Sequence, residues 1–191
     1  MAKKKPKSVY DTVDLPFWKA ERRANENMTE NFNTKYTDFY KELWKSVEDN
    51  IDVDGVALIH ISSWLQIYDD CCYKLLEVKG IQLKMAQEDF RQVKKEWEEN
   101  PTYDNKTEMD SVYEEGVTLT EEYEELLNLR KNMPSFFQRN PFPVKGKLSM
   151  RDYLNIIEPY AYQIWWTMVN QHNKYYSCLD EFIQLYEMIK R

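Results

Sequence analysis

The sequence predicts an all-α protein, a multi-helix bundle with a long central helix and a long C-terminal helix. Three observations support this fold class. The 191 residues include only 4 glycines, whereas sheet proteins need many glycine-containing turns. Apolar residues recur at spacings of three and four along most of the chain, which is the period of an amphipathic helix. With 42% hydrophobic and 15% aromatic residues, the chain can bury a sizeable core.

Two helices are predicted before the first turn. A short helix is expected at about 17–25. A longer one is expected at 33–49, where Asn33 or Thr34 can cap the free amides. Its apolar residues share one face: Tyr36, Tyr40, Leu43 and Val47. A turn should follow at 50–54.

The central helix is predicted at 53–79, with Asp52 or Asp54 as its N-cap. It is apolar over most of its circumference, so we expect it to be covered on most sides. The residues expected to be largely buried are Leu58, Ile61, Trp64, Leu65, Tyr68 and Leu75. Gly80 either ends this helix or lies inside a continuation that carries a further apolar stripe to Trp97.

The segment at 100–118 is polar and shows no period, so we expect a loop. Thr118 and Glu121 have capping-box spacing, which predicts a helix from there to about 132. The next segment, 133–148, is rich in proline and basic residues and is expected to be irregular.

Ser149 and Asp152 predict the start of the last helical region. Pro159 either kinks that helix or begins a new one. From 160 to 189 the helical spacing holds for about thirty residues, or roughly 45 Å. The expected organisation is a basic tail at 1–15 followed by a single helical domain at 16–191.

Charge is segregated along the chain, although the net charge is only −7. Residues 96–125 hold twelve acids against Lys106 alone. The two acid-free cationic clusters are the candidate nucleic-acid contacts, because each lysine that meets a phosphate releases a counterion. Their candidate residues are Lys3, Lys4, Lys5 and Lys7 in the tail, and Lys145, Lys147 and Arg151 in the second cluster. The second cluster belongs to an acid-free block at 130–151, which interleaves its cations with Phe136, Phe137 and Phe142, a composition that suits nucleic acid or an acidic protein equally.

Catalytic chemistry is not indicated. His60 and His172 each stand alone, and no Glu-x-x-His spacing is present. Four glycines cannot build a phosphate-binding loop. Vicinal cysteines, here Cys71 and Cys72, point apart on a helix and cannot both bind one ion. We therefore expect no enzyme activity, no cofactor and no metal site.

The expected compartment is the cytoplasm. Three cysteines do not make a disulfide framework, so a reducing environment is indicated. No run of 18 apolar residues exists, and we expect no membrane span.

The C-terminal helix carries more aromatic residues than one core requires. Trp165 and Trp166 are adjacent and point about 100° apart on a helix, so one indole must leave the core. Tyr162 and Tyr176 also lie off the main apolar stripe. These four residues are the candidate surface for a partner or for a second copy of the chain.

The layout resembles the small subunits of phage terminases. The similarity lies in the basic start MAKKKPK, a helix ending in FYKELWKSVEDN, the turn IDVDG and the long helix VALIHISSWLQIYDDCCYKLLEVKG. The closing polar-aromatic helix VNQHNKYYSCLDEFIQLYEM is also similar. The match covers residues 1–8, 36–80 and 167–189. The acidic segment at 96–125 and the proline-rich segment at 134–143 depart from the family pattern.

That resemblance implies a homo-oligomer that recognises viral DNA and presents it to a large motor subunit, in the cytoplasm of a host cell. A basic recognition helix in a helix-turn-helix is not evident, which leaves direct base readout in doubt. Two alternatives remain open. One is a regulatory, virus-encoded or host module that binds another protein, and the other is a structural component of a larger particle.

Overall fold

The computed structural model describes residues 7–132 and 135–190. Within these ranges the chain forms helices and no strand, which confirms the all-α prediction. A 3-10 turn, Val9–Thr12, precedes six α-helices. The helices are α1 (Leu15–Asn25), α2 (Met28–Glu48), α3 (Val53–Glu99), α4 (Tyr103–Asn132), α5 (Phe136–Arg139) and α6 (Met150–Ile189).

The chain groups into two compact units. The hairpin unit comprises the described residues of 1–19, 75–133 and 181–191, and the core unit comprises 20–74 and the described residues of 134–180. Both units draw on α3, since Lys74 belongs to the core unit and Leu75 to the hairpin unit.

The core unit is a bundle of α2, the first part of α3 and most of α6. Its centre consists of large side chains that are almost completely buried, among them Phe32, Phe39, Leu43, Ile61, Trp64, Ile157, Ile164 and Met168. Burial of a side chain of this size stabilises a fold by about 1.5–3 kcal/mol relative to exposure. The apolar stripes predicted on α2 and α6 therefore meet in one core.

The start of α3 follows the sequence prediction. Asn50 adopts a positive φ of 54° in the turn after α2, a conformation that asparagine tolerates better than most residues. The carboxylate Oδ1 of Asp52 accepts a hydrogen bond from the Gly55 amide at 3.1 Å. Asp52 is thus the cap of the central helix.

Burial along α3 matches the prediction at Ile61, Trp64 and Leu75, which are 6% exposed or less. Leu65 and Tyr68 are half-buried against the core. Leu58 was predicted to be buried and is instead 41% exposed. The prediction fails there because α2 and α6 do not cover the whole circumference of α3 at its first turns.

The hairpin unit pairs the second part of α3 with α4. Lys79 forms an ion pair with Glu122 at 2.6 Å, and the rings of Phe90 and Tyr113 lie 5.5 Å apart. Residue numbers rise on α3 as they fall on α4, so the two helices are antiparallel. Gly80 lies inside α3, where an added Cβ would stand 3.3 Å from the Tyr123 ring.

The loop predicted at 100–118 was wrong from residue 103 onward. Asn100 and Pro101 close the hairpin, and Thr102 Oγ1 accepts a hydrogen bond from the Asn105 amide at 3.2 Å to open α4. Thr118 is not a cap either, because its hydroxyl donates to the Glu114 carbonyl inside the helix. The predicted cap of α2 was also wrong, since that helix begins at Met28.

Residues 9–12 lie within the predicted N-terminal tail and pack onto the hairpin unit. The Val9 amide donates to Glu88 Oε2 at 2.7 Å. The Tyr10 hydroxyl donates to Asp89 Oδ2 at 2.5 Å, and the Tyr186 hydroxyl donates to the Tyr10 carbonyl at 2.6 Å. The C-terminal end of α6 and the N-terminal turn therefore belong to one hydrogen-bonded cluster.

Residues 135–149 are irregular apart from the single turn of α5, as predicted. Ser149 then opens α6, because its hydroxyl accepts the Asp152 amide at 3.1 Å. Pro159 lies inside α6, and the helix continues through it.

Candidate binding surface

Two rows of residues with the same spacing face each other in the core unit. On α2 the row is Tyr36, Tyr40 and Trp44. On α6 the row is Glu158, Tyr162 and Trp166. Residues four apart lie on the same face of a helix, one turn above another. Each row is therefore a continuous strip along its own helix.

The packing of α2 on α6 brings the two strips together. Trp165 Nε1 donates a hydrogen bond to the Phe32 carbonyl at 3.0 Å. The Tyr36 ring lies 5.9 Å from the Tyr162 ring. Further along, Phe32 meets His172 edge to face at 4.9 Å. Numbers on α2 thus rise while those on α6 fall, and the helices run antiparallel.

Ring contacts link the residues of the two strips. Tyr40 and Trp44 are 6.3 Å apart, and Tyr162 lies 5.8 Å from Trp165, which lies 6.2 Å from Trp166. We call the five aromatic side chains Tyr36, Tyr40, Trp44, Tyr162 and Trp166 the aromatic surface. Four of them are 40–50% exposed: Tyr40, Trp44, Tyr162 and Trp166.

Trp165 and Trp166 divide as their adjacent positions require. Trp165 is only 9% exposed, whereas Trp166 is 50% exposed. The Trp165 indole packs on Tyr36 at 4.9 Å and forms the floor beneath the aromatic surface. Trp166 is the outward indole.

Tyr176 is not part of this surface. It is half-buried and stacks on His172, with ring centroids 6.4 Å apart. It lies ten residues beyond Trp166 on α6, or about 15 Å along the helix axis. Of the four predicted partner residues, the structure brings Tyr162 and Trp166 to one exposed patch and uses Trp165 and Tyr176 in packing.

Glu158 is the one charged residue in the two rows. Its Oε1 is buried and has no hydrogen-bond partner among the described residues. Burial raises the pKa of the Tyr36 hydroxyl, and the negative charge of Glu158 raises it further. The carboxylate therefore acts electrostatically on the ring cluster beside it.

Sequence reasoning missed half of this surface. Tyr36 and Tyr40 were assigned to the core stripe of α2, but Tyr40 points outward. Glu158 was not considered at all. The signal that could have revealed it is the spacing of Glu158, Tyr162 and Trp166, which matches that of Tyr36, Tyr40 and Trp44.

The predicted nucleic-acid residues fall into separate regions of the chain. Lys3, Lys4 and Lys5 lie outside the described residues, and Lys7 is exposed at the start of the hairpin unit. Lys147 and Arg151 are exposed in the core unit, and Lys145 is half-buried. The Lys145 amide donates to Asp54 Oδ1 at 3.0 Å, which fixes the backbone of the loop that carries this cluster.

The phenylalanines that precede Lys145 in the 130–151 block face inward. Phe136, Phe137 and Phe142 pack against the core, and the rings of Phe136 and Phe142 also contact the Tyr160 ring. They are therefore partly buried and engaged in packing. Of that segment, only the cations remain as candidate phosphate contacts.

The histidines and cysteines have packing roles in the structure. His60 Nε2 lies 2.7 Å from Glu42 Oε2. His172 is buried, with Nε2 3.1 Å from Asn25 Oδ1. Burial raises the pKa of the Cys71 thiol to about 11, so this cysteine is held in the unreactive thiol form. No group of three His, Cys, Asp or Glu side chains within residues 7–132 and 135–190 is arranged to hold a metal ion.

Comparison with known proteins identifies no family. No protein-family model matches the chain, and neither the curated proteins nor the solved structures include a match. In the part of the chain that the structure describes, no helix carries an apolar stretch long enough to cross a bilayer.

Proposed function

We propose that the protein is a non-enzymatic assembly protein that associates with further copies of itself through the aromatic surface. The observation that carries this proposal is the pair of facing strips on α2 and α6. Four large aromatic side chains there are 40–50% exposed. Ring contacts join Tyr40 to Trp44 on α2, and Tyr162 to Trp166 through Trp165 on α6.

Aromatic side chains in this arrangement are typical of interface centres. Tyrosine and tryptophan are enriched at interfaces and dominate the binding energy when they become fully covered. The floor of the patch is rigid, because Trp165 is hydrogen-bonded to the Phe32 carbonyl and packed against Tyr36. A rigid floor lowers the entropic cost of ordering the surface on association.

Light scattering on the full chain over a range of concentrations tests the proposal. A single copy has a mass of 23.2 kDa. We expect a discrete multiple of that mass, because association through a defined patch closes with a fixed number of copies. A mass of one copy at every concentration would overturn self-association and favour the alternative, in which the same surface binds a different protein.

DNA recognition within a viral genome-packaging machine is the second candidate, and it corresponds to the terminase small-subunit resemblance. The observation in its favour is the exposure of Lys147 and Arg151 on an anchored segment of the core unit that contains no acid from 135 to 151. The twelve acids of 96–125 belong to the hairpin unit instead.

Salt-dependent binding to duplex DNA tests this second function. The slope of log affinity against log salt is negative. Replacing Lys145, Lys147 and Arg151 with glutamine should reduce its magnitude by about 0.9 for each lost phosphate contact. Deleting residues 1–8 should lower it by up to about four units. If the full chain does not bind DNA even at low salt, DNA recognition is wrong and only the protein-binding function remains.

A further inference from the structure

The start of α3 and the loop before α6 carry an exposed apolar region. Leu58 is 41% exposed, Leu148 is 40% exposed and Val144 is 62% exposed. The Lys145 amide donates to Asp54 Oδ1 at 3.0 Å, which holds this loop against the first turn of α3. Leu58 follows Asp54 by one helical turn on the same face of α3. The three apolar side chains therefore belong to one region of the core unit.

Cations accompany these apolar side chains. Lys147 and Arg151 are exposed on either side of Leu148 in the sequence. Within residues 7–132 and 135–190, neither cation forms an ion pair with an acid. We use the term basic patch for five residues: Leu58, Val144, Lys147, Leu148 and Arg151. A surface that combines apolar side chains with carboxylates is complementary to it.

The hairpin unit carries a surface of that kind on α4. Tyr113 is 56% exposed and Val117 is 38% exposed, and positions four apart lie on the same face of a helix. By the same spacing, this face also carries Asp110, Glu114 and Glu121, which are exposed. We call these five residues the acidic strip. None of its three acids forms an ion pair in the part of the chain that the structure describes.

We infer that the acidic strip of one copy docks on the basic patch of a neighbouring copy. This inference rests on the proposed self-association and identifies a second contact between the copies. Opposite charges steer the two surfaces together and select against wrong orientations. Each surface also offers exposed apolar side chains that the other can cover. Because one chain carries both surfaces, a second copy supplies a partner for each.

The contact adjusts the affinity between copies and does not hold them together alone. Exposed ion pairs contribute little individually, and dissolved salt screens them. The aromatic surface therefore remains the principal contact. The docking of the acidic strip makes the affinity between copies fall as the salt concentration rises.

Charge reversal tests the docking through the dissociation constant for self-association, measured by sedimentation equilibrium. The basic-patch variant carries Lys147→Glu and Arg151→Glu. The acidic-strip variant carries Glu114→Lys and Glu121→Lys. Each variant should associate about tenfold more weakly than the native chain at low salt, because repulsion replaces attraction. An equimolar mixture of the two variants should regain the native affinity, because each reversed surface then meets one of opposite charge.

A third variant with Asp104→Lys and Glu108→Lys is the matched control. It changes the net charge by as much as the acidic-strip variant does, but its two positions lie on another face of α4. Its dissociation constant should stay within about twofold of the native value, because it leaves the docking surfaces unchanged. All the substituted side chains are exposed, and circular dichroism with thermal unfolding verifies that each variant folds.

The outcomes separate the docking from the proposed function. Recovery in the mixture supports docking between copies. If the native chain assembles and both reversal variants assemble as tightly, the docking is wrong and self-association through the aromatic surface stands. Weakening that the mixture does not reverse also overturns the docking. If the basic-patch variant loses affinity only for duplex DNA, its cations contact nucleic acid and not a second copy. A native chain that is monomeric at every concentration overturns both proposals.

Discussion

His172 is a buried histidine with consequences for stability. It lies between the rings of Phe32 and Tyr176, and its Nε2 is 3.1 Å from Asn25 Oδ1. Burial lowers its pKa from the ordinary value of 6.5. At His172 the unfolded chain therefore binds a proton more readily than the folded chain does. Folding stability is lost as the pH falls through about 6.5.

Urea unfolding at pH 7.5, 6.5 and 5.5 checks this dependence. We expect the midpoint to fall between pH 7.5 and 5.5 in the native chain. His172→Gln should show a flatter dependence, because glutamine does not titrate. His60→Gln is the control, since His60 is partly exposed and pairs with Glu42. The urea midpoint of this variant should fall between pH 7.5 and 5.5 as it does in the native chain. Equal pH profiles for the native and His172→Gln chains would contradict the assignment.

Two residues three positions apart on α3 differ sharply in burial. Ile61 is 0% exposed and Leu58 is 41% exposed. Ile61→Ala should lower the free energy of unfolding by about 2–5 kcal/mol, because it leaves a cavity in a packed core. Leu58→Ala should lower it by less than about 1 kcal/mol, because an exposed side chain contributes little burial. Chemical denaturation of both variants measures the difference, and equal losses would contradict the packing of α3.

Residue burial was only partly predictable from the sequence. The period of α3 identifies Ile61 and Trp64 as core residues, because the apolar spacing places them on one face. It does not identify Leu58 as exposed or Tyr40 as outward-facing. Those outcomes depend on how many helices cover each face, and a single sequence does not specify that number.

At the scale of elements, Gly80 on α3 and Gly116 on α4 provide a contrast. Nothing lies within 4 Å of a Cβ added at Gly116, whereas one added at Gly80 would meet Tyr123 at 3.3 Å. Gly116→Ala should raise the free energy of unfolding by about 1 kcal/mol, because alanine favours the helix. Gly80→Leu should lower it, because a larger side chain must displace the Tyr123 ring. Thermal or urea unfolding measures the sign of each change in the free energy of unfolding. Stabilisation by Gly80→Leu would contradict the α3–α4 packing.

The elements themselves were largely predictable, apart from the starts of α2 and α4. Caps at Asp52 and Ser149 correctly marked the starts of α3 and α6, because short polar side chains bond free backbone amides. The start of α4 was missed because residues 100–118 are mostly polar and show no apolar period. Contacts with α3, such as that between Tyr113 and Phe90, form the helix pair nonetheless.

For the molecule as a whole, the sequence predicted that one of the two adjacent tryptophans must leave the core, and the structure identifies it as Trp166. It could not predict the opposing strip on α2, because that strip depends on the antiparallel register of α2 and α6. The surface emerges from the pairing of two helices, and each helix alone shows only half of it.

The central claim is that the protein associates through the aromatic surface. Light scattering on Trp166→Glu tests it most directly, because a charge introduced at a covered apolar position is costly to bury. Tyr103→Glu is the matched control, since Tyr103 is 84% exposed on α4 and lies outside that surface. The account predicts that Trp166→Glu reduces the particle to the 23.2 kDa of one copy, while Tyr103→Glu keeps the mass of the native assembly. A native mass that Trp166→Glu leaves unchanged would contradict it.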